Sequence, residues 1–206
     1  MKTAIKICGN RTLNDIAILN QYPPDYAGFI LSGGFGRSIV MGTFYELQSY
    51  LDKKIQTVGV FVNEPIEEIK RCAYHEELNV IQLHGEETTT YIQELRNIFH
   101  GEIWKAVRVR TAEDILKADT LPVDKLVLDS FSAVSHGGTG TLAPWDIIIN
   151  NRPEKPFFLA GGISVKNVSD AVKEVHPFGV DVSSSVETNK HKDIDKIKNL
   201  IQIIKN

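Results

Sequence analysis

The sequence predicts an α/β protein, a single (βα)8 TIM barrel that spans residues 1–206. Short runs rich in Val, Ile, Leu and Phe alternate with helical patterns, and this alternation is typical of a parallel sheet with helices packed outside it. The alternation occurs eight times along the chain, and eight strands close such a sheet into a barrel. A length of 206 residues suits one domain of this kind.

Each predicted strand is a short apolar run that is followed by a polar loop. Such runs are typical of buried parallel strands. The eight runs cover residues 4–8, 26–31, 56–62, 80–84, 102–108, 125–129, 156–160 and 178–183.

The starts of several helices are predicted from capping patterns and turn residues. Thr12 and Asp15 have the spacing of a capping box at the start of the first helix. Pro65 suits the first turn of the third helix, where no N–H donor is needed. Ser164 is expected to cap the seventh helix through its hydroxyl group.

The buried faces of the helices are predicted from apolar residues at helical spacing. In chain order these residues are Leu13, Ile16 and Ala17; Phe44, Leu47 and Leu51; Ile66, Ile69 and Ala73; Tyr91, Leu95 and Ile98; Val165, Val168 and Val172; and Ile194, Ile197, Ile201 and Ile204. The fifth and sixth helices carry weaker patterns and are expected over residues 111–118 and 144–150. No helix shows a second apolar face, so we expect a monomer.

Two other architectures would share parts of this pattern. An open doubly wound sheet should carry a G-x-G-x-x-G fingerprint after its first strand, where this chain has Cys8-Gly9-Asn10-Arg11. A leucine-rich solenoid needs L-x-x-L-x-L units, which the sequence lacks. The closed barrel therefore remains the predicted fold.

The composition excludes several classes of function. Hydrophobic residues make up 42% and charged residues 24% of the chain, as in an ordinary soluble globular protein. The net charge of −3 argues against a nucleic-acid partner and against a membrane surface, and no apolar stretch approaches the roughly 20 residues of a membrane span. Two cysteines are too few for a disulfide framework, and Met1 leads into a strand without a signal pattern. We therefore expect a cytoplasmic protein.

In barrels of this kind the active site lies at the carboxyl ends of the strands. The residues expected there are Cys8, Ser32, Asn63, His84, Arg108, Asp129, Gly161, Gly162, Ser183 and Ser184. Backbone N–H groups in glycine-rich or serine-rich loops can hold a phosphate group. Three such loops follow the late strands: His136-Gly137-Gly138-Thr139-Gly140, Ala160-Gly161-Gly162 and Ser183-Ser184-Ser185. We expect a phosphate site there, although glycines also occur simply as turn residues.

Cys8 and Asp129 are the candidates for proton transfer. The first and sixth strands lie across the barrel mouth, so a thiol and a carboxyl group would flank a substrate whose phosphate lies between them. Two alternatives stay open. Cysteine is often buried and inert, and a carboxylate at a strand end can cap the next helix.

Further side chains could contact a substrate or support the site. Arg37, in a glycine-rich loop after the second strand, could hold a carboxylate through two hydrogen bonds or could simply be solvated. His84 could donate a hydrogen bond to a substrate or cap its strand; no metal role is expected, since no second ligand stands in suitable spacing. Lys6 points into the barrel with Cys8 and needs a partner there. Asp181 on the eighth strand is the candidate, and we interpret this pair as structural first.

Several segments, in order and over essentially the whole chain, match one enzyme family. They are Ile5-Lys6-Ile7-Cys8-Gly9, Gly28-Phe29 leading to Arg37, Val58-Gly59-Val60-Phe61-Val62, Gln82-Leu83-His84-Gly85, Leu128-Asp129, Gly137-Gly138-Thr139-Gly140 with Trp145, and Val180-Asp181-Val182-Ser183-Ser184 followed by Val186-Glu187. Together these segments resemble the phosphoribosylanthranilate isomerases, which are (βα)8 enzymes of tryptophan biosynthesis.

The resemblance implies an Amadori rearrangement of a small phosphosugar, N-(5-phosphoribosyl)anthranilate, to 1-(2-carboxyphenylamino)-1-deoxyribulose 5-phosphate. Asp129 would be the general acid that opens the sugar ring, and Cys8 the general base that removes the proton from ribose C2′. No cofactor and no metal would be required, because the nitrogen lone pair and the iminium group supply the electron sink. A useful thiolate population would need a downward shift in the pKa of Cys8.

The resemblance also implies which residues bind the substrate. Arg37 would hold the anthranilate carboxylate, and His84 and Asp181 are further substrate-binding candidates. The phosphate would be held by the loops after strands six to eight, through Gly138, Gly140, Gly161, Gly162, Ser183 and Ser184.

Two positions depart from the usual pattern of the family. The loop Gly33-Gly34-Phe35-Gly36 before Arg37 is richer in glycine, so we expect it to be more mobile. Ser185 stands where the family favours glycine, and it would be strained if that backbone position required a positive φ.

Rival functions make different predictions for the same chain. A related aldose–ketose isomerase would place an Asp at the end of the first strand, where this chain has Cys8. A pentose-phosphate epimerase would need a metal cluster of His and Asp. A catalytically silent barrel that binds phosphosugars or anthranilate-like anions is the alternative from a different class.

Overall fold

The computed structural model describes residues 3–73, 78–129 and 144–205. Within these ranges, eight parallel strands pair in sequence order and close into a barrel, which confirms the predicted fold class. The strands are β1 (Ala4–Ile7), β2 (Tyr26–Ile30), β3 (Gln56–Phe61), β4 (Val80–Leu83), β5 (Glu102–Arg108), β6 (Lys125–Asp129), β7 (Phe157–Ala160) and β8 (Gly179–Val182).

A helix follows each strand of the barrel in the described ranges. The helices are α1 (Leu13–Gln21), α2 (Met41–Tyr50), α3 (Ile66–Ala73), α4 (Thr89–Ile98), α5 (Ala112–Asp119), α6 (Pro144–Asn150), α7 (Val168–Val175) and α8 (Ile194–Lys205). None of the helices in the described ranges is long and apolar enough to cross a membrane.

The chain adds a small unpredicted element between β8 and α8. A 3₁₀ turn over Ser184–Val186 leads into an antiparallel hairpin of β9 (Glu187–Thr188) and β10 (His191–Lys192). Asn189 and Lys190 form its turn and both have positive φ, as a tight two-residue hairpin turn requires. The strands are two residues long and polar, so they leave no periodic signal in the sequence.

The barrel closes where β1 pairs with β8. In this register Ala4 lies opposite Gly179 and Lys6 lies opposite Asp181. Residues that oppose each other in a sheet share a face, and alternate residues along a strand point to the same side. The closure therefore places Lys6 and Asp181 together inside the barrel, one layer below Cys8.

Apolar packing fills the barrel on both sides of the sheet. Helices cover the outside, while valines of several strands and a group of aromatic rings fill the inside. Trp104 stacks on Phe158 with ring centroids 4.7 Å apart, and the edge of Tyr26 meets Trp104 at 5.0 Å. These rings pack the half of the barrel that lies towards the strand starts, so the polar interior groups gather at the carboxyl ends.

The predicted element boundaries agree closely with the structure, but three of the predicted buried helix faces are only partly buried. Each strand end lies within one residue of its prediction, and the capping box of Thr12 and Asp15 is present. In α1 the prediction is wrong for Leu13, which is 47% exposed, and for Ala17, which is exposed, but Ile16 is buried as predicted. The buried side of α1 carries Ile16 together with Ile18 and Leu19. Val165 and Ile194, from the predicted faces of the seventh and eighth helices, are also exposed.

The predicted cap of α7 is also wrong. The helix begins at Val168, with Asn167 as the capping residue. Ser164 starts a preceding turn in which the Asn167 side-chain oxygen accepts a hydrogen bond of 2.8 Å from the Ser164 N–H. This local side-chain bond stabilises a turn in place of the first helical turn.

Candidate active site

Cys8 follows the last residue of β1, and its thiol lies at the carboxyl end of the barrel. Its backbone N–H donates a hydrogen bond of 2.8 Å to the carbonyl of Val182, so the pairing of β1 with β8 fixes its place. The sulfur packs on Gly28 of β2, since a Cβ atom added there would lie only 2.8 Å from it. Glycine at position 28 therefore provides the space that the thiol occupies.

Lys6 and Asp181 form an ion pair directly below the thiol. Lys6 Nζ donates a hydrogen bond of 2.8 Å to Oδ2 of Asp181, and the lysine side chain is completely buried. Burial opposes the charge on the lysine, but Asp181 and Cys8 outweigh it and raise the pKa of Lys6. The pair predicted from the strand alternation is therefore present, and it places an ammonium group beside Cys8.

The pKa of the Cys8 thiol is raised, so the downward shift that a large thiolate population would need is absent. Burial is the main cause, and the Asp181 carboxylate adds to it. Lys6 opposes the shift through its charge and a hydrogen bond, and Lys192 opposes it through its charge. The pKa of Cys8 is raised because the free energy needed to remove a thiolate from water is larger than the stabilisation that the two nearby ammonium groups give it.

Asp129 is the last residue of β6. In the strand register it lies between Arg108 of β5 and Ala160 of β7. It lies two residues beyond Val127, which packs inside the barrel, and alternate residues of a strand point to the same side. Asp129 is half-buried, and its strand lies across the barrel from β1.

His84 follows β4 on the same rim, and it is exposed. Its Nδ1 atom lies 3.3 Å from Nε2 of Gln82, which is buried below it. Although the residue is exposed overall, the atoms around its ring partly exclude water; this desolvation and the charge of Lys6 lower the pKa of His84, while Asp181 and Asp129 act in the opposite direction. The imidazole is therefore neutral near neutral pH. These three charged groups belong to β1, β8 and β6, so His84 faces both the Cys8 side and the Asp129 side of the barrel mouth.

A buried ion pair supports the loop that carries His84. Glu87 accepts hydrogen bonds of 3.0 Å from the backbone N–H groups of Asn63 and Gly85. Lys105 Nζ donates to Glu87 at 3.1 Å and to the carbonyl of Gly85 at 2.6 Å. The loops after β3 and β4 are thus tied to β5, which fixes this side of the rim.

Arg37 lies against the thiol end of β1. Its stem covers Gly9, where an added Cβ atom would lie 2.7 Å from Cδ of the arginine. The guanidinium donates through Nε and Nη2 to both carboxylate oxygens of Glu187, at 2.9 and 2.8 Å for the two shortest contacts. Glu187 also accepts a hydrogen bond of 2.9 Å from Lys192. The arginine is therefore held by a carboxylate of the hairpin and is not simply solvated.

The glycine-rich loop before Arg37 is anchored by hydrogen bonds at several points. The Ser38 hydroxyl donates to the carbonyl of Ser32 at 2.6 Å and accepts from the N–H of Phe35 at 3.1 Å. Arg11 donates to the carbonyl of Gly36 at 3.3 Å. The greater mobility expected for this loop stays a prediction.

The described candidates for phosphate binding lie at the ends of β7 and β8. Gly161 and Gly162 follow β7, both with positive φ. The Ser183 hydroxyl donates a hydrogen bond of 3.1 Å to the carbonyl of Cys8, and the exposed Ser184 begins the 3₁₀ turn. The other two candidates, Gly138 and Gly140, lie outside the described residues.

Ser185 does not show the strain that a glycine position would impose. The described non-glycine residues with positive φ are Asn63, His176, Asn189 and Lys190, so Ser185 is not one of them. Its hydroxyl is buried and has no hydrogen-bond partner within the described residues.

Four residues that shape the site were not assigned a role from the sequence. Gly28 makes room for the thiol, and Gln82 contacts His84. Glu187 and Lys192 hold Arg37 from the hairpin. The alternation along β2 and β4 could have placed Gly28 and Gln82 inside the barrel, whereas the hairpin lacks any period that would place Glu187 and Lys192.

The described groups suit proton transfer near an anion. A thiol, a carboxylate and a neutral imidazole occupy the rim, with Lys6, Lys192 and Arg37 as nearby positive charges. Among residues 3–73, 78–129 and 144–205, no group of three or more His, Cys, Asp or Glu side chains is placed to hold a metal ion.

Comparisons with known proteins agree with this architecture. The family model described as N-(5'phosphoribosyl)anthranilate (PRA) isomerase matches residues 5–203. An N-(5'-phosphoribosyl)anthranilate isomerase of Thermoanaerobacter sp. is 40% identical over 201 residues, covering 98% of this chain and 97% of the relative.

Solved structures give the same result. The phosphoribosyl anthranilate isomerase of Thermotoga maritima superimposes with a TM-score of 0.87 at 32% identity, covering 98% of both chains. A phosphoribosyl anthranilate isomerase in complex with reduced 1-(o-carboxyphenylamino)-1-deoxyribulose 5-phosphate has a TM-score of 0.86 at 32% identity, again over 98% of both chains. The chain therefore belongs to the N-(5'-phosphoribosyl)anthranilate isomerase family, and it is an isomerase of tryptophan biosynthesis.

Proposed function

We propose that this chain converts N-(5-phosphoribosyl)anthranilate to 1-(2-carboxyphenylamino)-1-deoxyribulose 5-phosphate, with Asp129 as general acid and Cys8 as general base. The observation that carries the proposal is the placement of these two residues at the carboxyl ends of β6 and β1, on opposite sides of one barrel mouth. A substrate between them meets a proton donor on one side and a proton acceptor on the other.

The first step opens the sugar ring. Asp129 gives its proton to the furanose ring oxygen as the C1′–O bond breaks, and the nitrogen lone pair forms the C1′=N bond of a Schiff base. The half-buried setting of Asp129 limits competition from water for this proton.

The second step removes the proton from C2′. The Cys8 thiolate takes the proton, the electrons of the C–H bond form a C1′=C2′ double bond, and the electrons of the C=N bond return to nitrogen. The resulting enolamine tautomerises to the ketone. Lys6 and Lys192 stabilise the thiolate by charge, while the raised pKa of Cys8 makes that thiolate a stronger base.

Charged and polar groups around the pair suit the remaining parts of the substrate. Arg37, beside Gly9 and Cys8, would hold the anthranilate carboxylate. The backbone of Gly161, Gly162 and Ser184 would hold the phosphate, together with Gly138 and Gly140 outside the described residues and with Ser183. His84 and Asp181 would complete the wall around the sugar.

Two further properties belong to the same proposal. The protein would act in the cytoplasm. It would be a monomer, since no helix pattern in the sequence shows a second apolar face. Sedimentation at micromolar concentration distinguishes a monomer of 23.0 kDa from a dimer.

One assay tests the reaction directly. Purified protein with a chelator present should remove the fluorescence of phosphoribosylanthranilate at a rate proportional to enzyme concentration. A catalytically silent barrel would bind the compound without any loss of fluorescence beyond the uncatalysed rate, and that result would reject the proposed reaction.

A further inference from the structure

The hairpin between β8 and α8 carries a buried ion pair, neither member of which donates or accepts a proton in the acid–base mechanism. Lys192 and Glu187 are joined by a hydrogen bond of 2.9 Å, and their side chains are 1% and 5% exposed. Removing two charges from water is costly, so an isolated pair at this place would contribute little to stability. The other partners of the two side chains show what else the pair does.

Glu187 holds Arg37 in one orientation. Both carboxylate oxygens accept hydrogen bonds from the guanidinium, through Nε and Nη2. Burial disfavours the charged carboxylate, but hydrogen bonds from Arg37 and Lys192 outweigh that effect and lower the pKa of Glu187 to about 2. The third guanidinium nitrogen, Nη1, has no hydrogen-bond partner within the described residues. The guanidinium therefore keeps one donor group that can bind another anion.

Lys192 holds the backbone on which the thiol stands. Its Nζ atom donates to the carbonyl of Cys8 at 2.7 Å, to the carbonyl of Ser183 at 3.2 Å and to Glu187. The three donors of the ammonium group therefore join the end of β1, the end of β8 and the hairpin. A movement of the hairpin would displace both Cys8 and Arg37.

Lys192 also changes the net charge of the cluster that it forms with Arg37 and Glu187. Arg37 and Glu187 alone would be neutral together, and the neutral pair would attract an anionic substrate weakly. Burial lowers the pKa of Lys192, while the hydrogen bond and charge of Glu187 oppose this shift and favour the ammonium form. With Lys192 as ammonium the three groups carry two positive charges and one negative charge, so one net positive charge remains. Arg37 can thus be held by a carboxylate and still leave the site attractive to an anion.

We propose that Glu187 and Lys192 form a positioning unit for substrate binding, in which Glu187 orients Arg37 towards the substrate carboxylate and Lys192 fixes the Cys8 backbone and keeps the cluster positive. The inference rests on the proposed function, because it takes Arg37 as the carboxylate contact. Neither residue touches the reacting atoms, so both act through the groups that they hold.

Steady-state kinetics on substituted proteins test the positioning unit. Arg37→Ala should raise KM with little change in kcat, and Glu187→Gln should raise KM by about tenfold or more while kcat stays within about threefold. In the Arg37→Ala background, Glu187→Gln should add less than about threefold, because the two residues act through one contact. Lys192→Met should also raise KM, since it removes the net positive charge. Equal effects of Glu187→Gln with and without Arg37 would overturn the proposal.

A matched control separates positioning from stability. Glu102 pairs with Lys125 near the strand starts, far from the rim, so Glu102→Gln should lower the free energy of unfolding without changing KM. If Glu187→Gln fails to fold, Arg37→Lys is the variant to use. It keeps the positive charge but loses the two-point hydrogen bonding of the guanidinium, so it should raise KM nearly as much as Arg37→Ala. A wild-type KM for Arg37→Lys would reject the orienting role.

Failure of the inference and failure of the proposed function are distinguishable. If the unsubstituted protein does not consume phosphoribosylanthranilate, the function itself is wrong. If it does, and the KM of Glu187→Gln is unchanged while the variant is folded by circular dichroism, only the positioning role is wrong.

Discussion

The Nζ atom of Lys6 lies 2.8 Å from Oδ2 of Asp181, although the two residues are 175 positions apart in the sequence. Their strands meet where the barrel closes, and the pair lies below Cys8. One buried contact therefore links closure of the barrel to the electrostatic surroundings of the thiol, and a change at Lys6 should alter both stability and reactivity.

Lys6→Met should destabilise the fold by about 3–5 kcal/mol, because it leaves the Asp181 carboxylate buried without its partner. Urea unfolding measures this difference. Lys70→Met is the control, since Lys70 is 55% exposed and its contact with Glu67 is 4.0 Å long; that change should stay within about 0.5 kcal/mol. Equal stabilities of the two variants would contradict the role of the buried pair.

The raised pKa of Cys8 sets the pH dependence of the thiol's reactivity. A thiol is protonated below its pKa, and burial raises the pKa of Cys8 above the ordinary value of 9.0. The thiolate fraction should therefore rise about tenfold per pH unit between about pH 7 and 9. Alkylation of Cys8 by iodoacetamide in a Cys72→Ala chain should follow the same curve. A plateau that begins below about pH 8 would contradict this setting of the thiol.

Gly28→Ala tests the space in which the thiol lies. The added methyl group would lie 2.8 Å from the sulfur and 3.1 Å from the Cα atom of Cys8, so the thiol must move. A displacement of this order should lower kcat by about tenfold to a hundredfold. Gly42→Ala is the control, because nothing lies within 4 Å of the added atom in α2; it should stabilise the helix by about 0.5–1 kcal/mol without loss of activity. Wild-type kcat for Gly28→Ala would mean that the position of the sulfur is unimportant.

The lowered pKa of Glu187 predicts a specific loss of stability in acid. A carboxyl group whose folded pKa is about 2, against an ordinary value of 4.5, contributes stability that is complete above the ordinary value. That contribution is lost as the pH falls towards the folded value. The difference in unfolding free energy between the wild-type chain and Glu187→Gln should thus shrink steadily below about pH 4.5. A constant difference down to about pH 3 would show that the carboxylate is not held by Arg37 and Lys192 in the folded state.

Much of the fold followed from local patterns in the sequence. Strand alternation placed Lys6 and Cys8 on the inner face, and the order of the strands placed Asp181 beside Lys6. The location of Cys8 and Asp129 at the rim followed from the rule that strand ends form the site. These inferences depend only on the alternation of residues along each strand and on the order of the strands, and both can be obtained from a single sequence.

Other features depend on contacts that no local pattern encodes. The hold of Glu187 on Arg37 joins a two-residue strand to a loop 150 positions away, and neither segment is periodic. The pKa of Cys8 is raised by burial, which depends on how closely the rim packs around the thiol. In α1, Leu13 and Ala17 share a face with Ile16 by spacing, yet packing against the barrel buries Ile16 together with Ile18 and Leu19 and leaves Leu13 and Ala17 exposed.

The proposed mechanism assigns the two proton transfers of the reaction to Cys8 and Asp129. This assignment is tested by measuring the turnover of phosphoribosylanthranilate by Cys8→Ser and by Asp129→Asn, with binding of the substrate measured separately. Each variant should lose about 10²-fold or more in kcat while binding the substrate nearly as well as the wild-type protein. Unchanged turnover in either variant would remove that residue from the mechanism.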